Sequence, residues 1–447
     1  MSRFGTTLCL GALLLGAGPL GAQQAPDSAA RSQQRMLDSL ATALRVLQTR
    51  LDSALDARRT EAPVVPVATA PGRAPGTYMN VSFVGLTAAG LSTARDLDRL
   101  QLGDHDPRAR GFTIPNAELA LDGAVDPYFK GFVNLVHKLD QESETVVELE
   151  EVYVLTTSLP ANLQLKIGQF FAEFGRHNAQ HPHSWAFADD AMMLGRIFGA
   201  DGLRGQGARV SWLLPTPMFA EASFTVLNSA GETTTSFRSL ESGTIHEGIP
   251  VDREVRGLRE MLYVPRFSTS FDLTASQTLV LGASGAFGPN NTGPDARTRI
   301  EGVDLFWKWK SSRARAGFPF VTFQSEVLTR RYDAASRIAA RDSVTVLPAA
   351  VLKDVGGYAQ VQWGIRPLLI AAVRAEVAQN DDPSAAAFTA TEREDRNRYS
   401  TNLTWFPTEF SKVRVQYNYD HRAVMGNDSS LWFQFEFLLG SHAAHKF

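Results

Sequence analysis

The chain has 447 residues, 44% of them hydrophobic, with 44 Lys and Arg against 47 Asp and Glu and a formal charge of -3. So small a net charge excludes the basic footprint of a nucleic-acid binder, and a single cysteine, Cys9, excludes a disulfide framework.

Residues 1–22 read as a secretory signal peptide: Arg3 is the positive start, Leu8 to Leu15 the apolar stretch, and Leu20-Gly21-Ala22 the small-residue cleavage site. Its removal takes Cys9 with it, so the mature chain has no thiol. No later stretch reaches the roughly 18 to 20 apolar residues of a spanning helix. Over residues 29–58, Leu37, Leu40, Leu44, Leu47, Leu51 and Ala54 recur at spacings of three and four, the seam of a short periplasmic coiled-coil helix. A helix this short is marginal alone, so two readings stand: self-association, with a homotrimer as the expected state, or a single amphipathic helix on the periplasmic rim. Residues 61–76, with four prolines, form a stiff linker.

From 77 to 447 the pattern changes to period two. Sixteen segments have strand character: 77–87, 111–122, 128–139, 145–158, 162–172, 203–214, 217–228, 258–274, 277–288, 299–310, 317–332, 351–365, 368–379, 396–406, 411–421 and 430–440. The last is the clearest: Phe433, Phe435, Phe437 and Leu439 alternate with Gln434 and Glu436. Val303, Leu305, Trp307 and Trp309 likewise interleave with Asp304, Lys308 and Lys310, and Val413, Val415, Tyr417 and Tyr419 with Arg414, Gln416, Asn418 and Asp420. A soluble core seldom accepts charges so persistently on one strand face, whereas a barrel with lipid outside and water inside does. Tight turns such as 125–127 and 407–409 alternate with long polar connections at 88–110, 173–202, 229–257, 333–350 and 380–395, the asymmetry of short periplasmic turns and long external loops. The predicted fold is all-β: a 16-stranded antiparallel transmembrane barrel in the bacterial outer membrane, preceded by the short helix. Tyr128, Trp307, Trp405, Phe406 and Trp432, at strand ends, suit interfacial aromatic girdles.

A barrel of this size has room for an aqueous channel. The expected function is passive diffusion of small hydrophilic solutes or ions, with Lys308, Lys310, Arg374, Arg398, Arg414, Asp304, Glu376 and Asp420 lining the lumen and their mixed signs giving weak selectivity. The alternative is binding or uptake of zinc or another transition metal. Its candidate ligands are His177, His181 and His183, three imidazoles within seven residues; loop histidines are also commonly solvated or packed on aromatics, and Trp185 and Phe187 are adjacent. Neither a Gly-x-Ser-x-Gly elbow nor a phosphate-binding or dinucleotide glycine pattern occurs. No enzyme is expected, and no cofactor beyond a possible zinc ion.

Three stretches, at 112–131, 149–189 and 433–447, together resemble a family of bacterial outer-membrane barrels labelled zinc-regulated TonB-dependent outer-membrane receptor. The resemblance rests on Asn178, Gln180, His181, His183, Trp185 and Phe187, and on the ending Gly440, His442, Ala444, His445, Lys446, Phe447. It implies the outer membrane and a barrel. A receptor of that type has about 22 strands around a plug, which the residues after the linker are too few to build. A more distant likeness to phosphate-selective porins comes from the coiled-coil leader and the Lys166 to Phe174 strand.

Overall fold

The computed structural model describes residues 79–139, 144–231, 233–239, 255–338, 344–380 and 393–440. The segments expected as signal peptide, coiled-coil helix and linker, together with His442 and His445, lie outside the described residues.

Each of the sixteen alternating segments is a strand, and each pairs antiparallel with its neighbour in sequence until the last closes on the first. They are β1 (Met79–Ser92), β2 (Gly111–Ala124), β3 (Phe129–Leu139), β4 (Thr145–Thr156), β5 (Leu163–Phe171), β6 (Arg204–Leu213), β7 (Ala220–Asn228), β8 (Met261–Thr274), β9 (Gln277–Pro289), β10 (Arg297–Arg315), β11 (Phe318–Ala334), β12 (Ala350–Arg366), β13 (Leu369–Asn380), β14 (Arg396–Thr408), β15 (Ser411–Arg422) and β16 (Gly426–Gly440). Closure sets Phe433 of β16 opposite Ala89 of β1. Despite the long connection between them, β7 and β8 pair directly, from Met261 with Asn228 to Thr269 with Ala220. Full closure leaves no open sheet edge, the condition for a β-protein in lipid.

The period-two reading of the faces holds. Phe433, Phe435, Tyr399, Leu403 and Trp405 stand on the outer wall, while Gln434, Glu436, Arg398, Ser400, Asn402 and Arg414 are buried inside. Phe433 is 50% exposed to what is lipid in place and faces Val415 on its other side. Near the bilayer middle a cation there costs ~2–4 kcal/mol, so Phe433→Arg is expected to lower stability by about that much in denaturant unfolding from lipid vesicles. Two of the aromatics expected in the girdles are instead internal. Trp432 is in phase with Gln434 and packs against Ala94, Leu97 and Leu100, and Phe406 joins Phe318, Phe320 and Ile370.

The wall is uneven at one place. The β4–β5 ladder runs only from Val152–Gln169 to Leu155–Lys166, because the chain leaves β5 at Phe171 and turns into the barrel. Gly168 sits in this ladder with φ +142°, a backbone that suits glycine. Gln169 Nε2 reaches the Leu149 carbonyl of β4 at 2.6 Å above the end of the pairing. Two short two-residue ladders, Ala230–Gly231 with Arg238–Ser239 and Arg337–Ile338 with Val346–Leu347, lie in the long connections.

Candidate functional site

The connection between β5 and β6, read from sequence as an external loop, enters the barrel and fills much of it. Its neck is closed by Asn178, whose Nδ2 donates to the carbonyls of Ala172 (2.7 Å) and Leu203 (3.0 Å) and whose Oδ1 accepts from Leu203 N at 2.8 Å. Within it lies one short helix, α1 (Met192–Phe198), that the sequence reading missed. Met192, Met193, Leu194, Ile197 and Phe198 are buried against inward residues of the wall, among them Leu262, Val264, Ile300, Leu328 and Ala378. That apolar patch on an otherwise polar inner face exists to seat this helix. The detectable signal was the run Ala191 to Phe198, apolar where an external loop would be polar.

The other side of the inserted loop is held by charge. Asp189, fully buried, accepts from Arg374 at 2.6 Å, Arg398 at 3.2 Å, Gln416 at 2.8 Å and Asn418 at 2.6 Å, so residues of β13, β14 and β15 converge on one carboxylate. Wall side chains also bind the loop backbone directly: Lys412 donates to the His183 carbonyl (2.9 Å), Arg414 to that of Trp185 (2.7 Å), Asn402 to that of Ala186 (2.9 Å), and Glu376 accepts the Met192 amide at 2.7 Å. A second connection, residues 93–110, also turns inward. Its Leu100 carbonyl accepts from Arg398 at 2.7 Å, and its Asp106 takes the Asp190 amide at 2.7 Å. Burial, then the charges of Asp189 and Asp190, lift the Asp106 carboxyl to about 7.

Arg374, Arg398, Arg414, Glu376, Asp420 and Asp304 are on the inner wall and buried, but they meet protein where the sequence suggested water. Arg398 and Arg396 share Asp420 at 2.9 and 2.6 Å, and Arg266 pairs with Asp304 at 2.7 Å. Lys308 faces a cavity, and Lys310 is exposed near the short-turn end of β10.

The three candidate metal histidines are not brought to one point. His181 and His183 lie parallel, 5.8 Å apart. His181 bridges Glu150 (3.1 Å) and Glu151 (3.0 Å), and His183 meets Glu118 at 3.1 Å. His177 stacks on Trp185 at 5.5 Å, its Nε2 2.8 Å from Asp190 but poorly aligned for a hydrogen bond. Among the described residues the group whose ligand atoms all fall within 4.8 Å is a different one, Asp104, His105 and Asp201, and the Lys138 ammonium already lies against Asp104 and 3.7 Å from Asp201. His105 also sits 3.4 Å from Glu150. Burial opposes its charge, but the hydrogen bond and charge of Glu150 prevail and raise it to about 9, so it is cationic at neutral pH. That interaction stabilises the fold fully below the ordinary histidine value of about 6.5 and is lost as pH rises through about 9. Protease cleavage in 93–110 is therefore expected to rise as pH passes 9 in the native protein and to lose that pH step in His105→Gln.

One concavity lies on the outer wall and another inside against the inserted loop. The larger, about 1410 Å³, runs across the outer wall past Leu121, Val133, Val152, Ile167 and Val226, away from the charged interior. The smaller, about 350 Å³, is inside, between the inserted loop and the short-turn end, with Arg176, Trp185, Phe306, Lys308, Phe320 and Arg414 among its walls.

No family model matches the chain. A protein of Aquifex aeolicus (strain VF5), itself named only as an uncharacterized protein, is 32% identical over 357 residues, covering 76% of this chain and 70% of that one. Two solved structures share the barrel. The outer membrane channel DcaP of Acinetobacter baumannii has a TM-score of 0.52 and 12% identity over 81% of this chain and 97% of its own. OprB of Pseudomonas putida has a TM-score of 0.50 and 11% identity over 81% and 94%. The expectation of a TonB-dependent receptor is not supported. The barrel closes with sixteen strands, and what enters its lumen is its own connections. The looser likeness to phosphate-selective porins agrees with the fold.

Proposed function

Because the chain belongs to the same family as the Aquifex aeolicus protein and is a 16-stranded barrel of the bacterial outer membrane, we propose that it is a porin-like channel for passive diffusion of small hydrophilic solutes or ions. The observation that carries this reading is an inner wall with charged and amide side chains along most of its strands, enclosing an internal cavity below the inserted loop. A barrel serving only as an anchor has no need of so many buried charges, each costly to desolvate. The inserted loop narrows the lumen, so flow is restricted to small solutes and the pairing of most interior charges leaves selectivity modest. Single-channel recording of the refolded mature protein is expected to give small discrete steps, and silent bilayers from protein with intact barrel structure would end this reading. Assembly as a homotrimer through residues 29–58 belongs to the same proposal; deletion of that segment is then expected to yield monomers in light scattering.

A second reading, capture of zinc or a related metal on the loop histidines with the barrel as scaffold, is supported by the adjacent His181 and His183 and their three glutamates. Replacing His177, His181 and His183 together is then expected to abolish zinc binding in a calorimetric titration, and unchanged affinity removes the reading.

A further inference from the structure

We propose that the chamber between the inserted loop and the short-turn end is a binding site for a small organic anion with an apolar body, such as an aromatic carboxylate. This deepens the channel reading and rests on it for the route by which the solute arrives.

The chamber's lining holds Arg176, Lys308, Lys412 and Arg414 and no aspartate or glutamate. A cation already matched by a carboxylate offers little to a ligand, so the pairing of each decides the case. Lys412 is matched, 2.6 Å from Glu436. Arg414 forms no ion pair: its three hydrogen bonds go to Thr404 Oγ1 at 3.2 Å, Gln434 Oε1 at 3.0 Å and the Trp185 carbonyl at 2.7 Å, all neutral, while Glu436 and Asp189 act on it electrostatically from farther off. Arg176 stacks its guanidinium 4.0 Å over the Phe306 ring, and its Nε is buried without a hydrogen-bond partner. Asp304 and Glu326 act on it electrostatically without forming an ion pair with its side chain. Lys308 points over Phe320, 5.6 Å from the ring centre, and makes no ion pair among the described residues. Three cations from three separate elements, the inserted loop, β10 and β15, thus share one chamber with no acid in its lining. Arg414 is buried and Arg176 and Lys308 are half-buried, and an excess of like charge in such a setting is unfavourable unless something neutralises it.

The remaining lining defines the anion's body. Trp185, Phe306, Phe320, Ile370 and Phe406 supply apolar faces, and Gln324, Gln360 and Gln362 supply neutral donors and acceptors. A volume of about 350 Å³ lies at the lower end of the range for small-molecule pockets. Inorganic phosphate alone would leave those aromatic faces unused.

The test is equilibrium binding to the folded full-length protein in detergent, read by Trp fluorescence and by calorimetry, with benzoate, benzylammonium and inorganic phosphate as probes. Benzoate is expected to bind, benzylammonium not to bind, and phosphate to bind at least tenfold more weakly than benzoate. Lys308→Gln is expected to weaken benzoate severalfold and the Arg176→Gln, Lys308→Gln pair at least tenfold, both variants keeping the heat-modifiable gel mobility of a folded barrel. Equal binding of benzoate and benzylammonium, no benzoate binding, or an unchanged affinity in the folded double variant would overturn the site. Phosphate binding as tightly as benzoate would overturn the organic body. Benzoate binding by a protein that is silent in bilayers would support the site and remove only the channel reading.

Discussion

Asp189→Ala is expected to raise single-channel conductance severalfold and to destabilise the barrel interior. The native carboxylate collects Arg374, Arg398, Gln416 and Asn418 at 2.6 to 3.2 Å. Without it two guanidiniums, each about 1% exposed at the side chain, lose a partner in a buried setting. Removing one member of such a buried pair costs ~3–5 kcal/mol. Arg374 retains Glu376 at 2.9 Å, and Arg398 retains Asp420 at 2.9 Å, so the wall survives while the loop loses its main tether. The residual hold comes from α1 in its apolar seat and from the wall's bonds to the loop backbone at His183, Trp185, Ala186 and Met192. Conductance measured beside denaturant unfolding separates the effects: a wider pore with a lower midpoint is the expected pair, and an unchanged pore would show that the loop stays in place without Asp189. Asp189→Asn, which keeps an acceptor but loses the charge, is expected to fall between.

The second large effect is Gly168→Ala, expected to abolish recovery of a folded barrel. A Cβ on Gly168 would stand 2.1 Å from the Val152 carbonyl oxygen and 2.6 Å from Tyr153 Cα. Both are backbone atoms of the neighbouring strand, so relief requires opening the ladder, and φ +142° adds strain. Gly131→Ala is the control, since its Cβ would meet only Val125 Cγ2 at 3.4 Å. The heat-modifiable fraction after refolding is expected to be near native for Gly131→Ala and near zero for Gly168→Ala; equal yields would show that the wall yields at this point.

The strands were legible because their faces meet media of opposite polarity, which forces the alternation seen in Phe433 to Leu439 and in Val413 to Tyr419. Phase, once found, also fixed which side chains face inward, as Arg398, Arg414 and Asp420 demonstrate. It failed only where strand-end position was allowed to outweigh phase: Trp432 and Phe406 are in step with inward neighbours. What could not be read was the filling of the lumen. Period two states that Arg374 faces inward but not whether water or Asp189 meets it, since that depends on where a connection of some thirty residues goes. The same holds for the histidines. Spacing put His177, His181 and His183 together, but the turn through Pro182 sends His181 and His183 to glutamates of the wall and leaves His177 on Trp185.

The barrel takes its own loop inward by shortening one hairpin, and the wall carries the result as a seam. Beyond the four paired positions between β4 and β5, backbone groups at membrane depth must find partners one by one, each otherwise costing several kcal/mol. Gln169 performs that repair on the Leu149 and Glu150 carbonyls, and Gln206 and Asn228 extend it as a row of amides along the outer wall. Side-chain amides swing more freely than a ladder opens, so this is where hydrogen–deuterium exchange is expected to find the wall's amide protons exchanging soonest. The structure that narrows the axial path therefore also sets where around its circumference the wall opens most readily.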